Sequence, residues 1–287
     1  YMVLTTVMGN HHKIAFENPT YKRDYQLFYN LSYETCTVDI DEQGMDVSKL
    51  EQSNADIAFV MPSHQYPLGI VMPVKRRLEL LQWAEKKADR YIIEDDYDSE
   101  FRYKGKPIPA LQGYDNHEKV IYVGTFSKSI APAIRVSYIV LPRILLQQYW
   151  EKSGFLNSTV SKVDQLILQK FIEEGYYERH LNKTRALYKG RHDRLLASLK
   201  CLRTQFDISG ENAGVHLLLH CKNKMSETEL IQRAADKDVK VYGLSEYYVK
   251  QQMQKQATIL LGYANMQEKS IVEAVRLLKE AWTEKDA

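Results

Sequence analysis

Lys128 closes the run Thr125-Phe126-Ser127-Lys128, a turn of small and hydroxylated residues directly behind the apolar stretch Val120 to Val123. Most lysines lie on solvated surfaces, and a surface turn is the plain reading of this one. Two more polar clusters follow apolar stretches in the same manner. Phe59-Val60-Met61 runs into PSHQYPLG (62–69), and Tyr91-Ile92-Ile93 runs into EDDYDSEFRY (94–103). Arg135 stands seven residues beyond Lys128. An amine, carboxylates, tyrosines, hydroxyls and a guanidinium are the groups that one chemistry needs together. Pyridoxal 5′-phosphate condenses with a lysine amine to form a Schiff base. Its ring nitrogen stays protonated when a carboxylate faces it, and its phosphate takes hydroxyls, backbone N–H groups and an arginine. Lys128 fits the first role and Asp95 the second, with Asp96 as its rival. Thr125, Ser127 and Arg135 fit the third, and Tyr97 suits the ring's phenolic oxygen. Thr125 and Ser127 equally suit a helix cap, and His64 and Tyr66 equally suit a loop that satisfies its own backbone.

The elements that must position these residues are legible as a pattern. Strand candidates are Lys13–Phe16, Ser32–Val38, Asp56–Met61, Tyr91–Ile93, Val120–Val123 and Ser137–Leu141. Several are continuous apolar runs, which implies burial on both faces and a mostly parallel sheet. Helical patterns alternate with them. The clearest is Val74 to Asp89, with Val74, Leu78, Leu81 and Ala88 expected on the buried face and Lys75, Arg76, Glu79 and Lys86 on the others. Such alternation predicts an α/β domain, whose ligands bind beyond the carboxyl ends of its strands. After about residue 145 the pattern changes. A long helical region from Ser161 to Lys200, broken near Gly175, precedes strands at Gly214–Leu219, Val239–Tyr242 and Thr258–Leu261. Helices are expected at Glu227–Asp236 and Gln267–Trp282. The expected organisation is a large domain over 1–150, then a connecting helix and a small C-terminal α+β domain over 151–287. Tyr1 to Met8 reads as the end of an amphipathic helix, so the chain is expected to be an N-terminally truncated fragment.

Composition limits the function classes. Of 287 residues, 26% are charged and the net charge is +2, with no long basic run, which gives nucleic-acid binding by this chain little support. Cys36, Cys201 and Cys221 lie far apart, without metal-ligand spacing, and suit a reducing cytoplasm. No metal site, no Ser/His/Asp nucleophile set and no membrane segment is expected.

The three motifs together resemble a known family. TFSK (125–128) with Arg135 is similar to the cofactor-lysine segment of fold-type I aminotransferases. IIEDDYDSEFRY (92–103) and PSHQYPLG (62–69) resemble the aminotransferase-like domain of the MocR subfamily of GntR-type transcriptional regulators, which includes a γ-aminobutyrate-responsive sensor. The resemblance implies a fold-type I α/β large domain and a smaller α+β domain, usually in a homodimer, with DNA bound only through a separate winged-helix module. It implies that Lys128 carries the internal aldimine, that Asp95 pairs with the ring nitrogen and that Arg135 takes the phosphate. In NPTYKR (18–23), Tyr21 matches the aromatic that stacks on the ring and Arg23 a residue that engages the effector carboxylate. One departure stands out. TILLGY (258–263) places Leu260 where aminotransferases usually carry an arginine for the substrate α-carboxylate. The expected function is therefore an effector-sensing domain that forms an external aldimine with an amine or amino acid; the alternative is a catalytically competent aminotransferase. A cofactor-free dimerisation scaffold is a third reading.

Overall fold

The computed structural model describes residues 1–105, 108–154, 158–251 and 256–283. A seven-stranded sheet carries the first half of the chain. Its strands are β1 (Lys13–Asn18), β2 (Glu34–Asp41), β3 (Gly44–Met45), β4 (Ile57–Val60), β5 (Tyr91–Asp96), β6 (Val120–Thr125) and β7 (Ser137–Val140). The order is β3-β2-β1-β4-β5-β6-β7. The five inner strands pair in parallel, whereas β3 and β7 run antiparallel at the two edges. Continuous apolar runs explain the centre: all four residues of β4 are buried, and Ile92 and Ile93 of β5 meet Val120 and Ile121 of β6. The β7 run is mostly exposed, as a sheet edge permits.

Helices α1 (Met2–Met8), α2 (Lys22–Asn30), α3 (Val47–Gln52), α4 (Val74–Glu85), α5 (Phe126–Ser129) and α6 (Arg143–Ser153) accompany this sheet. One apolar layer holds Leu4, Val7, Phe16, Phe28 and Phe59; the other holds Leu50, Val60, Leu80, Trp83 and Ala84. The buried face of α4 differs from the periodicity reading. Val74 and Leu78 are exposed, while Arg76 and Arg77 are buried. The reason is polar. Arg77 donates to the carbonyls of Met72, Pro62 and Pro109, and Arg76 to those of Gly44 and Met45 and to the Asp41 carboxylate. Satisfied guanidinium groups can occupy interior positions that a hydrophobic count assigns to leucine.

Helices α7 (Lys162–Glu173) and α8 (Tyr176–Ser198) follow, broken at Gly175, whose φ of +71° caps the turn. Strands β8 (Phe206–Ser209), β9 (His216–Cys221), β10 (Tyr242–Gly243) and β11 (Thr258–Gly262) form a second, antiparallel sheet in the order β10-β11-β9-β8. It packs with α9 (Glu227–Ala235) and α10 (Glu268–Thr283) through Leu217, Leu219, Ile259, Leu230, Leu278 and Trp282. β10 is shorter and later than the Val239–Tyr242 run suggested, and β8 had no counterpart among the expected strands. No helix among the described residues is long and apolar enough to cross a membrane.

Candidate functional site

The parallel register sends the predicted site residues toward one sheet edge. Asp95 pairs across from Val123 and Asp96 from Gly124, so the acidic loop and the lysine turn leave their strands side by side. Asp96, the rival carboxylate, is engaged. It accepts from the Tyr122 hydroxyl at 2.8 Å and from the Ser99 backbone N–H at 3.1 Å. Glu94 is also engaged, caught between the Leu111 and Gln112 amides at 2.7 and 2.8 Å, with burial pushing its carboxyl up to about 7. Asp95 is different. It has no hydrogen bond or ion pair among the described residues, and its carboxyl is pushed well above the usual range. Desolvation is the main cause, followed by the charges of Asp24, Asp96 and Asp98. A carboxylate so placed is relieved by a cation brought to it.

The lysine turn supplies the opposite charges. Thr125 caps α5: its Oγ1 accepts from the Ser127 amide at 3.1 Å and donates to the Val136 carbonyl. Arg135 holds a left-handed backbone (φ +50°) and donates to Ser127 Oγ at 3.4 Å. Lys128 is exposed and forms no ion pair among the described residues. Its charge nevertheless reaches His216. Thr125, Ser127, Lys128 and Arg135 therefore gather a hydroxyl pair and two cations beside the Asp95 loop.

An aromatic wall completes the edge. Tyr66 packs edge-on against Tyr21 (5.8 Å between ring centres), Tyr97 (6.2 Å), His216 (5.2 Å) and Tyr247 (5.2 Å). Tyr97 Oη lies 2.9 Å from His64 Nδ1, which is itself 2.9 Å from Asp98 Oδ2. Arg23 is exposed at the start of α2, its guanidinium 6.0 Å from the Tyr21 ring. Leu260 is buried in β11 between Leu218 and Tyr242.

Sequence reasoning missed several groups here. Tyr247, His216 and Asn18 come from distant parts of the chain. Tyr66 donates to the Tyr247 hydroxyl at 3.0 Å, and the Thr20 amide donates to the Tyr247 carbonyl. Asn18 accepts from the Val249 amide and donates to the Lys250 carbonyl, so the end of β1 is latched to the 247–250 segment. His216 is wholly buried and donates from Nε2 to the Pro67 carbonyl at 2.8 Å; burial above all pushes it down to about 3, so it is neutral. Glu17, one residue before Asn18, was also unforeseen. It is fully buried and pushed up to about 8 by desolvation, which the nearby Met61 and Met45 backbone groups and the Gln65 side chain only partly offset. Asp98 was in plain view within the acidic run, but nothing in the run distinguishes it from its neighbours.

The chemistry of this donor set fits pyridoxal 5′-phosphate. Asp95, without a hydrogen bond or ion pair among the described residues, would offer the carboxylate a ring nitrogen requires, Lys128 the amine, and Thr125, Ser127 and Arg135 the phosphate partners. The profile of the aminotransferase class I and II family matches residues 2–278. The uncharacterised HTH-type transcriptional regulator YdeL of Bacillus subtilis is 38% identical over 281 residues, covering 98% of this chain and 60% of YdeL. The probable rhizopine catabolism regulatory protein MocR of Rhizobium meliloti is 32% identical over 269 residues, covering 93% of this chain and 54% of MocR. The chain thus spans only about 60% or less of these curated relatives. Among solved structures, the kynurenine aminotransferase of Pyrococcus horikoshii superposes with a TM-score of 0.82 at 25% identity, over 98% of this chain and 72% of that one. A mostly parallel large sheet, a smaller antiparallel one and a family match across nearly the whole length give one conclusion: the chain has the fold-type I architecture and belongs to the aminotransferase class I and II family.

Proposed function

We propose that this chain is the effector-sensing part of a MocR-type transcriptional regulator, in which Lys128 holds pyridoxal 5′-phosphate and an amine or amino-acid effector takes the place of the Lys128 amine. Bound there, the cofactor supplies an aldehyde that condenses with amines and a ring that withdraws electrons from the amine carbon. The protein's residues do the rest. Asp95 would keep the ring nitrogen protonated, and Thr125, Ser127 and Arg135 would hold the phosphate. Tyr21, Tyr66 and His64 would bind the ring, and Tyr97 would donate to its phenolic oxygen. Arg23 reaches the effector carboxylate. The observation that carries the reading is Asp95, a desolvated carboxyl beside the lysine turn with no hydrogen bond or ion pair among the described residues. The regulator reading is favoured by the HTH-type relatives and by Leu260 at the position of the usual carboxylate anchor.

In this reading residues 1–150 hold the cofactor and 151–287 respond to the effector. The Asn18 and Tyr247 contacts are the route by which occupancy biases the C-terminal unit. A second copy of the chain is the natural partner for the apolar side chains that α6 and α7 leave in water, Trp150 at 65% and Leu166 at 57% exposure among them. DNA binding belongs to a winged-helix module outside this sequence, and the work is cytoplasmic. An aminotransferase remains the second reading, because Lys128, Asp95 and Arg135 form a complete set. A visible spectrum of the chain reconstituted with pyridoxal phosphate separates the two. A band that shifts on adding amines and then persists supports sensing. Steady conversion to the aminated cofactor establishes turnover, and no band at all overturns both.

A further inference from the structure

We propose that Asp98, acting through His64, sets the direction of the proton on Tyr97, so that the phenol accepts from the imidazole and keeps its own hydroxyl proton to donate into the crevice. His64 Nδ1 faces two oxygens at once, Asp98 Oδ2 and Tyr97 Oη, both at 2.9 Å. A ring nitrogen has a single in-plane position, filled by a proton or by a lone pair. A lone pair would face the Asp98 carboxylate with no proton between them, in a pair of side chains each only 1% exposed. A proton satisfies both oxygens, and the N–H to carboxylate bond is the stronger of the two kinds available.

The other ring nitrogen supports the same assignment. His64 Nε2 is buried and has no hydrogen-bond partner among the described residues. A proton there would be an orphaned donor, which folded proteins tolerate less well than an under-used acceptor. Nε2 is therefore bare and Nδ1 protonated. The ring cannot swing away to another arrangement. Gly214, at φ +80°, passes so close that a Cβ there would lie 1.9 Å from His64 Cε1. The largest influences on Tyr97 agree with a protonated phenol. Burial first, then Asp98, Asp95, Tyr66 and Asp96, hold its hydroxyl proton well beyond the usual range. His216, 5.1 Å from His64 between ring centres, is neutral and donates to Pro67, so it does not compete for the Nδ1 proton. His64 is thus a positioning residue and Tyr97 the donor.

The assignment of the proton stands independently of the cofactor; only its recipient rests on the proposed sensing function. The test is nuclear magnetic resonance of the cofactor-free chain labelled with ¹⁵N-histidine, with His64→Gln used to assign the signal. A neutral ring protonated on Nδ1 is expected, and an Nε2-protonated ring in the unaltered chain overturns the proposal. With pyridoxal phosphate bound, the pH midpoint of the visible band gives the second reading. Tyr97→Phe moves it, and Asp98→Asn moves it in the same direction by roughly half a pH unit or more. The double variant moves it no further than Tyr97→Phe alone. Independent, additive shifts also overturn the proposal. If the unaltered chain shows the Nδ1 proton but no band, the sensing function fails and the proton direction holds.

Discussion

Around the C-terminal sheet, Leu217, Leu219, Ile259 and Leu261 close on Leu230, Leu278 and Trp282. The indole of Trp282 donates to the Leu230 carbonyl at 2.9 Å. At the carboxyl edge of the parallel sheet the arrangement is reversed. Among the described residues, Thr20, His64 and Asp98 each keep a buried polar atom without a hydrogen bond, Glu17 is buried at a raised pKa, and Asp95 keeps a desolvated carboxyl. Burying such groups costs stability, whereas an apolar core contributes it. One region is built to hold the fold together. The other carries groups whose cost is accepted for what they can bind, and the latch at Asn18 and Tyr247 ties the two regions together.

Substitutions should therefore act in opposite senses in the two regions. Trp282→Ala is expected to destabilise by about 3–5 kcal/mol, through lost burial and a cavity, while leaving pyridoxal phosphate affinity per folded molecule unchanged. Denaturant unfolding and a fluorescence titration check both halves. Gly214→Ala sits where the regions meet. It combines a left-handed backbone with a clash against His64, so a loss of about 2–4 kcal/mol is expected in thermal unfolding.

The crevice should also make stability depend on pH with an unusual sign. Folded Glu17 keeps its proton up to about pH 8, whereas its ordinary value is 4.5. Between those values the folded form binds more protons than the unfolded one, so stability falls as pH rises, by at most about 1.4 kcal/mol per pH unit. Asp95, also raised by burial, adds to the slope in the same sense. Urea midpoints of the cofactor-free chain from pH 5 to 8 should fall, and Glu17→Gln should flatten the curve. A midpoint that climbs over this range would break the comparison. The smallest effect is expected at the latch. Asn18→Ala removes two bonds to the 249–250 backbone and should cost about 1–2 kcal/mol, with faster hydrogen exchange at the Val249 amide as its local signature.

How much of this was legible in the sequence follows from how local each feature is. Apolar runs announced β1, β4, β5 and β6 because their burial on both faces is written into successive residues. Polar clusters directly behind those runs placed Lys128, Asp95 and Arg135 at one edge. Antiparallel β7 has a similar run but a different neighbour, and direction is not encoded in a four-residue apolar stretch. The α4 face was misread because Arg76 and Arg77 are buried by their partners, and those partners lie up to 35 residues away. The same holds at the site. Asn18 meets Lys250 across 232 residues, Tyr66 meets Tyr247 across 181 and His216 meets Pro67 across 149. No spacing rule reaches that far.

The central claim is that Lys128 is the amine that holds the cofactor. Borohydride reduction of the chain incubated with pyridoxal phosphate, followed by mass mapping of the labelled peptide, tests it most directly. The account predicts one phosphopyridoxyl group, on Lys128, that disappears in Lys128→Ala. Label spread over surface lysines, or undiminished in Lys128→Ala, would contradict it.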